Sequence, residues 1–281
     1  MLASGFLPFP SESQYLSYIG ANHYALFPKL LSQSQFNRHA GGLCYLVEKM
    51  RRDWLLELGV AQTGIYLIDS KPLPVLGYKR SKHRSDFRGR AGYGYCASRK
   101  LYYFGYKLVM VTRPAGIPVV YELVATHIEE RKAAETVLDY LSQSLVIGDK
   151  GFLGQEWQAQ MLQQTANTVT SKRKKQKAQH RPGNQAVLNA LRERIEGVFH
   201  ELQNTGRNLE RLLAKTVIGL TTRLIAKVTT HLYKHILRLH YHIDVQTFQC
   251  SSNFTSDVLY IECHINLRKY SGSRAARENS L

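Results

Sequence analysis

The chain has 281 residues, of which 44% are hydrophobic, and its 38 Lys and Arg residues outnumber 21 Asp and Glu residues for a formal net charge of +17. This size and hydrophobic content suffice for a buried core, and the charge favours a polyanionic partner, above all nucleic acid. The pattern shows no disulfide framework, signal peptide or membrane span, so we expect a cytoplasmic protein.

The N-terminal part is predicted to be helical. Apolar residues follow helical spacing from about Ser11 to Leu58, and we expect a short helical module over residues 1–60 that serves DNA binding or dimerisation. From Gly64 the pattern changes to compact β-branched and aromatic runs. These runs predict three successive strands, in the segments GIYLID, KLVMVT and IPVVYELVA.

A basic and aromatic segment separates the first two strands, between Tyr78 and Lys107. We interpret it as a loop that neutralises DNA phosphates and stacks on unpaired bases; the alternative is a solvated loop whose tyrosines pack against the sheet. The residues predicted to contact DNA here are Lys79, Arg80, Lys82, Arg84, Arg88 and Arg90. Its glycines are followed by no GK[ST] motif, so no nucleotide cofactor is expected.

The following elements alternate between helix and strand. AAETVLDYLSQS predicts a helix, LVIGD a strand, and NTVTSKR a short strand, which together imply a mixed α/β sheet. The next residues form a basic run that is either a DNA-tracking loop or a flexible charged surface; its predicted DNA contacts are Lys172, Arg173, Lys174 and Lys175. An amphipathic helix is then predicted from Asn184, and another from Leu209 to Leu239.

Three acids stand in distinctive settings along these elements. Asp69 ends the first predicted strand, Asp149 ends the fourth, and Glu196 lies on the amphipathic helix. If the two strands are neighbours, their ends bring two carboxylates together and the helix presents the third. Carboxylates suit Mg²⁺ or Mn²⁺, and two such ions can activate a nucleophile and stabilise the leaving oxygen of a phosphodiester. The alternative is that each acid is only a turn residue or part of a solvated helix face.

Two cations lie beside these acids. Arg192 precedes Glu196 by one helical turn in the order that stabilises a helix less well, so we expect it to contact DNA phosphate instead. Lys150 follows Asp149 directly and is also predicted to contact DNA. Trp157 is interpreted as a core residue in preference to a wedge against a flipped base. His231 and His235 are one turn apart, but no HExxH pattern supports a zinc site.

Several blocks in order resemble the DDE transposases of bacterial insertion sequences, with the insertion-sequence 982 family as the most similar group. The blocks are YLIDSKPLPV, YFGYKLVMVT, VIGDKGF, RIEGVFHELQN and LERLLAKTVIGLTTRLIAKV. The resemblance implies a ribonuclease-H-like mixed sheet flanked by helices over residues 61–249, in a protein associated with the bacterial nucleoid. It also implies that Asp69, Asp149 and Glu196 form the catalytic, metal-binding triad, with two Mg²⁺ or Mn²⁺ ions. Residues 250–281 resemble nothing in the family and are assigned no role.

The chain departs from the family at two places. Related enzymes often carry a Tyr, Arg, Glu, Lys signature on the last catalytic helix; Arg192 and Glu196 match it, whereas Asn189 and Gln203 stand at the Tyr and Lys positions. Family members also usually have several dozen more residues before the first catalytic Asp, which raises the alternative of an N-terminally shortened copy.

The expected function is therefore metal-dependent cleavage of double-stranded DNA at element ends, followed by strand transfer into target DNA by a homodimer. Two alternatives stay open: an inactive remnant that only binds DNA, and a stand-alone ribonuclease-H-like nuclease.

Overall fold

A computed structural model describes residues 1–2, 9, 11–60, 64–76, 85–96, 100–152, 154–164, 166–170, 182–204 and 209–243. Within these residues, no helix combines the length and apolar character needed to cross a membrane. The helices and strands are α1 Glu12–Asn22, α2 Gln33–Glu57, β1 Gly64–Leu76, β2 Gly92–Cys96, β3 Leu101–Thr112, β4 Pro118–Ala125, α3 Glu130–Leu138, β5 Ser144–Gly148, α4 Gln155–Gln164, β6 Ala166–Thr170, α5 Pro182–Asn204 and α6 Val217–Tyr241.

The strands form one mixed sheet of six strands in the order β2-β3-β1-β5-β6, with β4 also paired to β3. β1 runs antiparallel to β3 and parallel to β5, and β5 runs parallel to β6. The parallel strands β1 and β5 are joined by a crossover that contains α3, as a parallel connection requires. The fold is thus the mixed α/β sheet flanked by helices that the sequence predicts.

Helices cover both faces of the sheet. One core cluster joins Leu67 and Leu73 of β1 to α5 and α6, and the other joins Tyr66 and Ile68 to α3 and α4. Successive side chains of a strand point to opposite faces, so odd-numbered residues of this part of β1 face α5 and even-numbered residues face α3. This alternation decides where the polar residues that follow will lie.

Strand β1 is longer than predicted, and Asp69 therefore lies inside it and not at its end. The strand continues through Pro72 and Pro74, which pair with Lys107 and Gly105 of β3. The pairing with β5 stops at Ile68, so from Asp69 onward no strand of the described residues pairs with this edge of β1. Proline lacks an amide hydrogen and is tolerated in a strand where the missing donor would face an open edge.

Two other boundaries differ from the sequence prediction. The segment interpreted as one loop between Tyr78 and Lys107 contains β2 and the first half of β3, which form an antiparallel hairpin. The last helix begins at Val217 and not at Leu209; residues 209–211 form a single 3₁₀ turn. Thr216 caps α6 by accepting a hydrogen bond from the Gly219 amide, and Ser and Thr side chains at this position favour a helix start.

The two N-terminal helices confirm the predicted helical content of this region. Ser32 opens α2 with a capping box. Further along α2, the buried guanidinium of Arg51 donates to the carbonyl oxygens of Pro118 and Val119 and to the carboxylate of Glu48. Because a buried charge is tolerated only with partners of this kind, Arg51 fixes α2 against strand β4.

Candidate active site

The sheet places the first two predicted acids side by side. Ile68 of β1 pairs with Gly148 of β5 in parallel register, so Asp69 and Asp149 are the next residues along two neighbouring strands. Asp69 shares the α5 face with Leu67 because side chains alternate along a strand. The Phe152 amide donates to the Asp149 carbonyl oxygen over 3.0 Å, which turns the chain directly after β5.

Helix α5 brings the third acid to the same edge. Glu196 lies on its exposed side, while Ile195, Val198, Phe199 and Leu202 bury the opposite side in the core. One turn earlier, Arg192 extends its Nη2 atom to within 3.1 Å of Asp149 Oδ1 and 3.5 Å of Glu196 Oε1. Arg192, which was expected to contact DNA, thus lies between two of the three predicted acids and pairs with both.

Asp69 has an unusual electrostatic environment. Burial, together with repulsion from Asp149, Glu196 and Glu130, raises the pKa of its carboxyl from an ordinary value of 3.8 to about 7. The Ser70 amide opposes this rise by donating to Asp69 Oδ1 over 2.8 Å. A carboxyl with this pKa is only partly ionised near neutral pH. A cation bound beside it would lower this pKa and favour the ionised form.

The oxygen donors of this edge fit a hard divalent cation by their chemistry. Carboxylate oxygens are the ligands that Mg²⁺ and Mn²⁺ prefer, and Asp149 and Glu196 already converge on a single cationic atom of Arg192. Among the described residues, no three Asp, Glu, His or Cys side chains come close enough together to enclose a metal ion as they stand. Binding an ion would therefore require these side chains to rearrange.

A fourth acid, Glu130, was missed by the sequence prediction. It begins α3 on the other face of β1, where its Oε1 accepts a hydrogen bond from the Ser70 hydroxyl over 2.6 Å. Glu130 Oε2 lies so close to Gly151 that a Cβ atom on residue 151 would clash with this oxygen. In sequence, Glu129 and Glu130 look like ordinary acids at a helix start, where the helix dipole favours them, and no local signal distinguishes one from the other.

Lys71 was also missed, although strand periodicity could have found it, because a residue two positions after Asp69 must share its face. Its Nζ donates to Gln203 Oε1 over 2.6 Å and lies 3.6 Å from Glu210 Oε1. Gln203 stands at the Lys position of the family signature. The structure thus supplies an ammonium group next to that position from strand β1 instead of from α5.

Only part of the predicted DNA interface lies within the described residues. Arg88 and Arg90 are exposed on a turn at residues 86–90. The adjacent Asp86 accepts a hydrogen bond of 2.7 Å from the Val217 amide and so attaches this turn to the start of α6. The positions that lie outside the described residues are Lys79, Arg80, Lys82, Arg84, Lys172, Arg173, Lys174 and Lys175, together with the side chain of Lys150.

The aromatic side chains of the basic segment divide into two groups. Phe87 and Tyr103 are buried, whereas Tyr95 and Tyr102 are exposed on the β2–β3 hairpin with their rings 4.6 Å apart. Packing against the sheet therefore accounts for the first group only. The exposed pair offers the flat surfaces that unpaired bases stack on.

Trp157 lies in the core, which agrees with its interpretation as a core residue. It is buried against Phe152, and its indole nitrogen donates to Glu135 Oε1 over 3.0 Å. His231 is also buried, and its Nε2 lies 3.1 Å from the Gly116 carbonyl oxygen. Burial lowers the pKa of His231 and of His235 to about 4, so both rings are neutral at physiological pH.

A sequence model of the family described as transposase DDE domain matches residues 60–212. The matched range starts just before β1 and ends after the 3₁₀ turn that precedes α6, so it includes all six strands and helices α3, α4 and α5. No curated protein matches the chain. The match identifies the domain and does not separate the insertion-sequence 982 family from its relatives, so that assignment stays a prediction.

Proposed function

The chain belongs to the family of transposase DDE domains, and from this membership we propose that it cleaves DNA strands at the ends of an insertion sequence and joins the freed 3′-hydroxyls to target DNA. The observation that carries the proposal is the common edge of β1, β5 and α5. Two predicted acids follow paired residues of neighbouring strands, and the third shares the Arg192 contact with one of them.

In this proposal Asp69, Asp149 and Glu196 hold divalent ions, with two Mg²⁺ or Mn²⁺ ions expected. Bound there, such ions would lower the pKa of an attacking water or hydroxyl and neutralise charge at the scissile phosphate. The protein's own part is to fix the carboxylates on rigid elements. Glu130 assists from the other face, since it holds the Ser70 hydroxyl while the Ser70 amide orients Asp69.

The proposed DNA interface runs from this edge to the basic turn at residues 86–90. Arg88 and Arg90 can neutralise phosphates, and Tyr95 and Tyr102 can stack on bases that leave the duplex at a cleaved end. The proposal also includes the predicted contacts outside the described residues, in the segments around Lys79 and Lys172. Substituting Gln for both Arg88 and Arg90 should weaken the binding of the protein to DNA duplexes of any sequence. Unchanged DNA binding in this double variant would remove the turn from the interface.

A dimer is proposed because strand transfer requires two element ends to be held together. Apolar side chains that a dimer could bury are exposed in the N-terminal helical part of the described chain. They are Tyr24, Leu26, Phe27, Leu43, Tyr45 and Leu46. On a chain with a net charge of +17, residues 1–60 carry five Lys and Arg against four Asp and Glu, so two copies can meet here with little repulsion.

The first test is cleavage and joining of a labelled duplex that carries the sequences flanking the gene, with and without Mg²⁺ or Mn²⁺. Asp69→Asn and Glu196→Gln should each abolish the metal-dependent products while DNA binding persists, because each removes a proposed ion ligand and leaves the basic surface intact. Loss of at least 100-fold in rate is expected, on the order found for groups that act directly on the reacting centre.

The matched control is Glu193→Gln, which removes an exposed acid from the same helix without touching the Arg192 contact. It should cleave like the unaltered protein. Full activity in Asp69→Asn would remove Asp69 from the site. DNA binding without cleavage by the unaltered protein would instead favour the inactive remnant, and cleavage without joining would favour the nuclease.

A further inference from the structure

Arg192 makes a contact that its predicted role does not explain. A residue that only binds DNA phosphate would be expected to extend into solvent, yet its Nη2 lies 3.1 Å from Asp149 Oδ1 and 3.5 Å from Glu196 Oε1. Three quarters of the side chain is covered, since its exposed fraction is 25%. One nitrogen thus stands between two carboxylates that come from different elements of the fold.

We propose that Arg192 is a positioning residue that occupies the cation position between Asp149 and Glu196, so that these two acids can hold divalent ions only after Arg192 has left. The proposal rests on the proposed function, because it assumes that both acids are ion ligands. It adds a competition between the Arg192 guanidinium and the metal ion. In the metal-free protein, the site is then closed by the pairing of Arg192 with both acids.

The distances require this competition. Mg²⁺ holds its oxygen ligands at about 2.1 Å, whereas the Arg192 Nη2 atom lies 3.1 Å from Asp149 Oδ1 and 3.5 Å from Glu196 Oε1. An ion held by these oxygens would need the space that the guanidinium nitrogen fills, and the two positive charges would repel each other. Arg192 in its present position and an ion on these oxygens therefore exclude each other.

The contact is also weak enough to be displaced. The side chains of Asp149 and Glu196 are 44% and 59% exposed, and ion pairs with this much solvent access contribute little because water screens them. A doubly charged ion has the stronger attraction for both carboxylates. Once displaced, Arg192 lies at the rim of the site, where the phosphate of a bound strand is the available anion.

The test is titration of Mn²⁺ into metal-free protein without DNA, followed by calorimetry. Arg192→Gln should bind Mn²⁺ about three- to tenfold more tightly than the unaltered protein, as expected when two partly exposed ion pairs no longer compete. Arg194→Gln is the matched control, because it removes the same charge from an exposed position on the same helix. Its affinity should stay within about twofold of the unaltered protein.

A second measurement separates this role from a direct DNA contact. In metal-free mobility-shift assays, Arg192→Gln should bind duplex DNA no more weakly than Arg194→Gln, since Arg192 is engaged by the acids. Weaker binding specific to Arg192→Gln would overturn the proposal, and so would unchanged or reduced affinity for Mn²⁺ in that variant.

Asp69→Asn distinguishes this failure from failure of the proposed function. If Asp69→Asn loses Mn²⁺ binding while Arg192→Gln leaves it unchanged, the proposed ion site is supported and the competition between Arg192 and the ion is rejected. If Asp69→Asn binds Mn²⁺ as the unaltered protein does, the proposed ion site itself is wrong and the competition falls with it.

Discussion

At the scale of single residues, the three predicted acids occupy different environments. Asp149 and Glu196 retain much of their solvent access, whereas Asp69 lies within the sheet and carries a raised pKa. The local patterns around Asp69 and Asp149 were visible in sequence because apolar runs that end in an acid are distinctive. Glu130 was not predicted, since its partner Ser70 comes from a distant segment and only the fold brings the two together. Strand periodicity could have placed Lys71 on the face of Asp69, but only the fold brings it to Gln203.

The raised pKa of Asp69 makes a prediction about stability. Between the ordinary pKa of 3.8 and the folded value of about 7, the folded chain keeps a proton that the unfolded chain has lost. The free energy of unfolding therefore falls as pH rises through this window, and the full cost is present above pH 7. Asp69→Asn removes the charge and keeps an oxygen for the Ser70 amide, so it should stabilise the protein at pH 8 by about 2 kcal/mol.

Urea denaturation of both proteins in the presence of EDTA, at pH values from 4 to 8, measures this difference. The advantage of the variant should shrink as the pH falls towards 4, because Asp69 is then protonated in the folded chain and close to half protonated in the unfolded chain. A difference that does not change with pH would mean that burial and repulsion at Asp69 do not set its ionisation.

At the scale of elements, free edges and helix starts account for the main differences from the sequence prediction. Asp69 was predicted to end β1, yet the strand continues through two prolines because β3 still pairs with it, while the pairing with β5 has stopped at Ile68. The period of α6 seemed to begin at Leu209, but the helix starts at Val217. Its first amide is satisfied by Asp86, which is 131 residues away along the chain, and such a partner is invisible to local patterns.

The Asp86 contact predicts a measurable contribution to stability. Asp86→Ala removes both the acceptor and the negative charge at the start of α6, and it should lower the free energy of unfolding by about 0.5–1 kcal/mol. Asp86→Asn keeps the acceptor oxygen and should lose less. Thermal or urea denaturation of the two variants compares these effects, and equal stability of Asp86→Ala and the unaltered protein would show that the cap contributes nothing.

At the scale of the whole molecule, the N-terminal helices pack on the sheet and on α6 while leaving apolar side chains on their outer side. Arg51 anchors α2 to β4, and Trp54 stacks on Tyr233 of α6 with ring centroids 5.3 Å apart. Sequence periodicity identified these helices but could not tell which apolar positions face the core. Leu43 and Leu46, for example, are about half exposed, whereas Leu55 is buried.

The proposed dimer can be tested through this surface. The unaltered protein should have about twice the mass of one 32.1 kDa chain by light scattering. Leu43→Glu combined with Leu46→Glu places two like charges on one side of α2 and should shift the protein to single chains. Leu239→Glu, at an exposed apolar position on α6, is the control and should leave the mass unchanged. A single-chain mass for the unaltered protein, alone and on DNA, would exclude the dimer.

The sequence by itself determined the order of most elements, the mixed sheet, the expected polyanionic partner and the membership of a DDE transposase family. These follow from local periodicity, composition and motifs, which short stretches of chain encode. Only the tertiary structure decided that Arg192 pairs with Asp149, that Glu130 supports Ser70 and that Asp86 caps α6. These contacts join residues far apart in the chain, and their formation depends on the register of β1 and β5 and on the packing of α5, which no local pattern specifies.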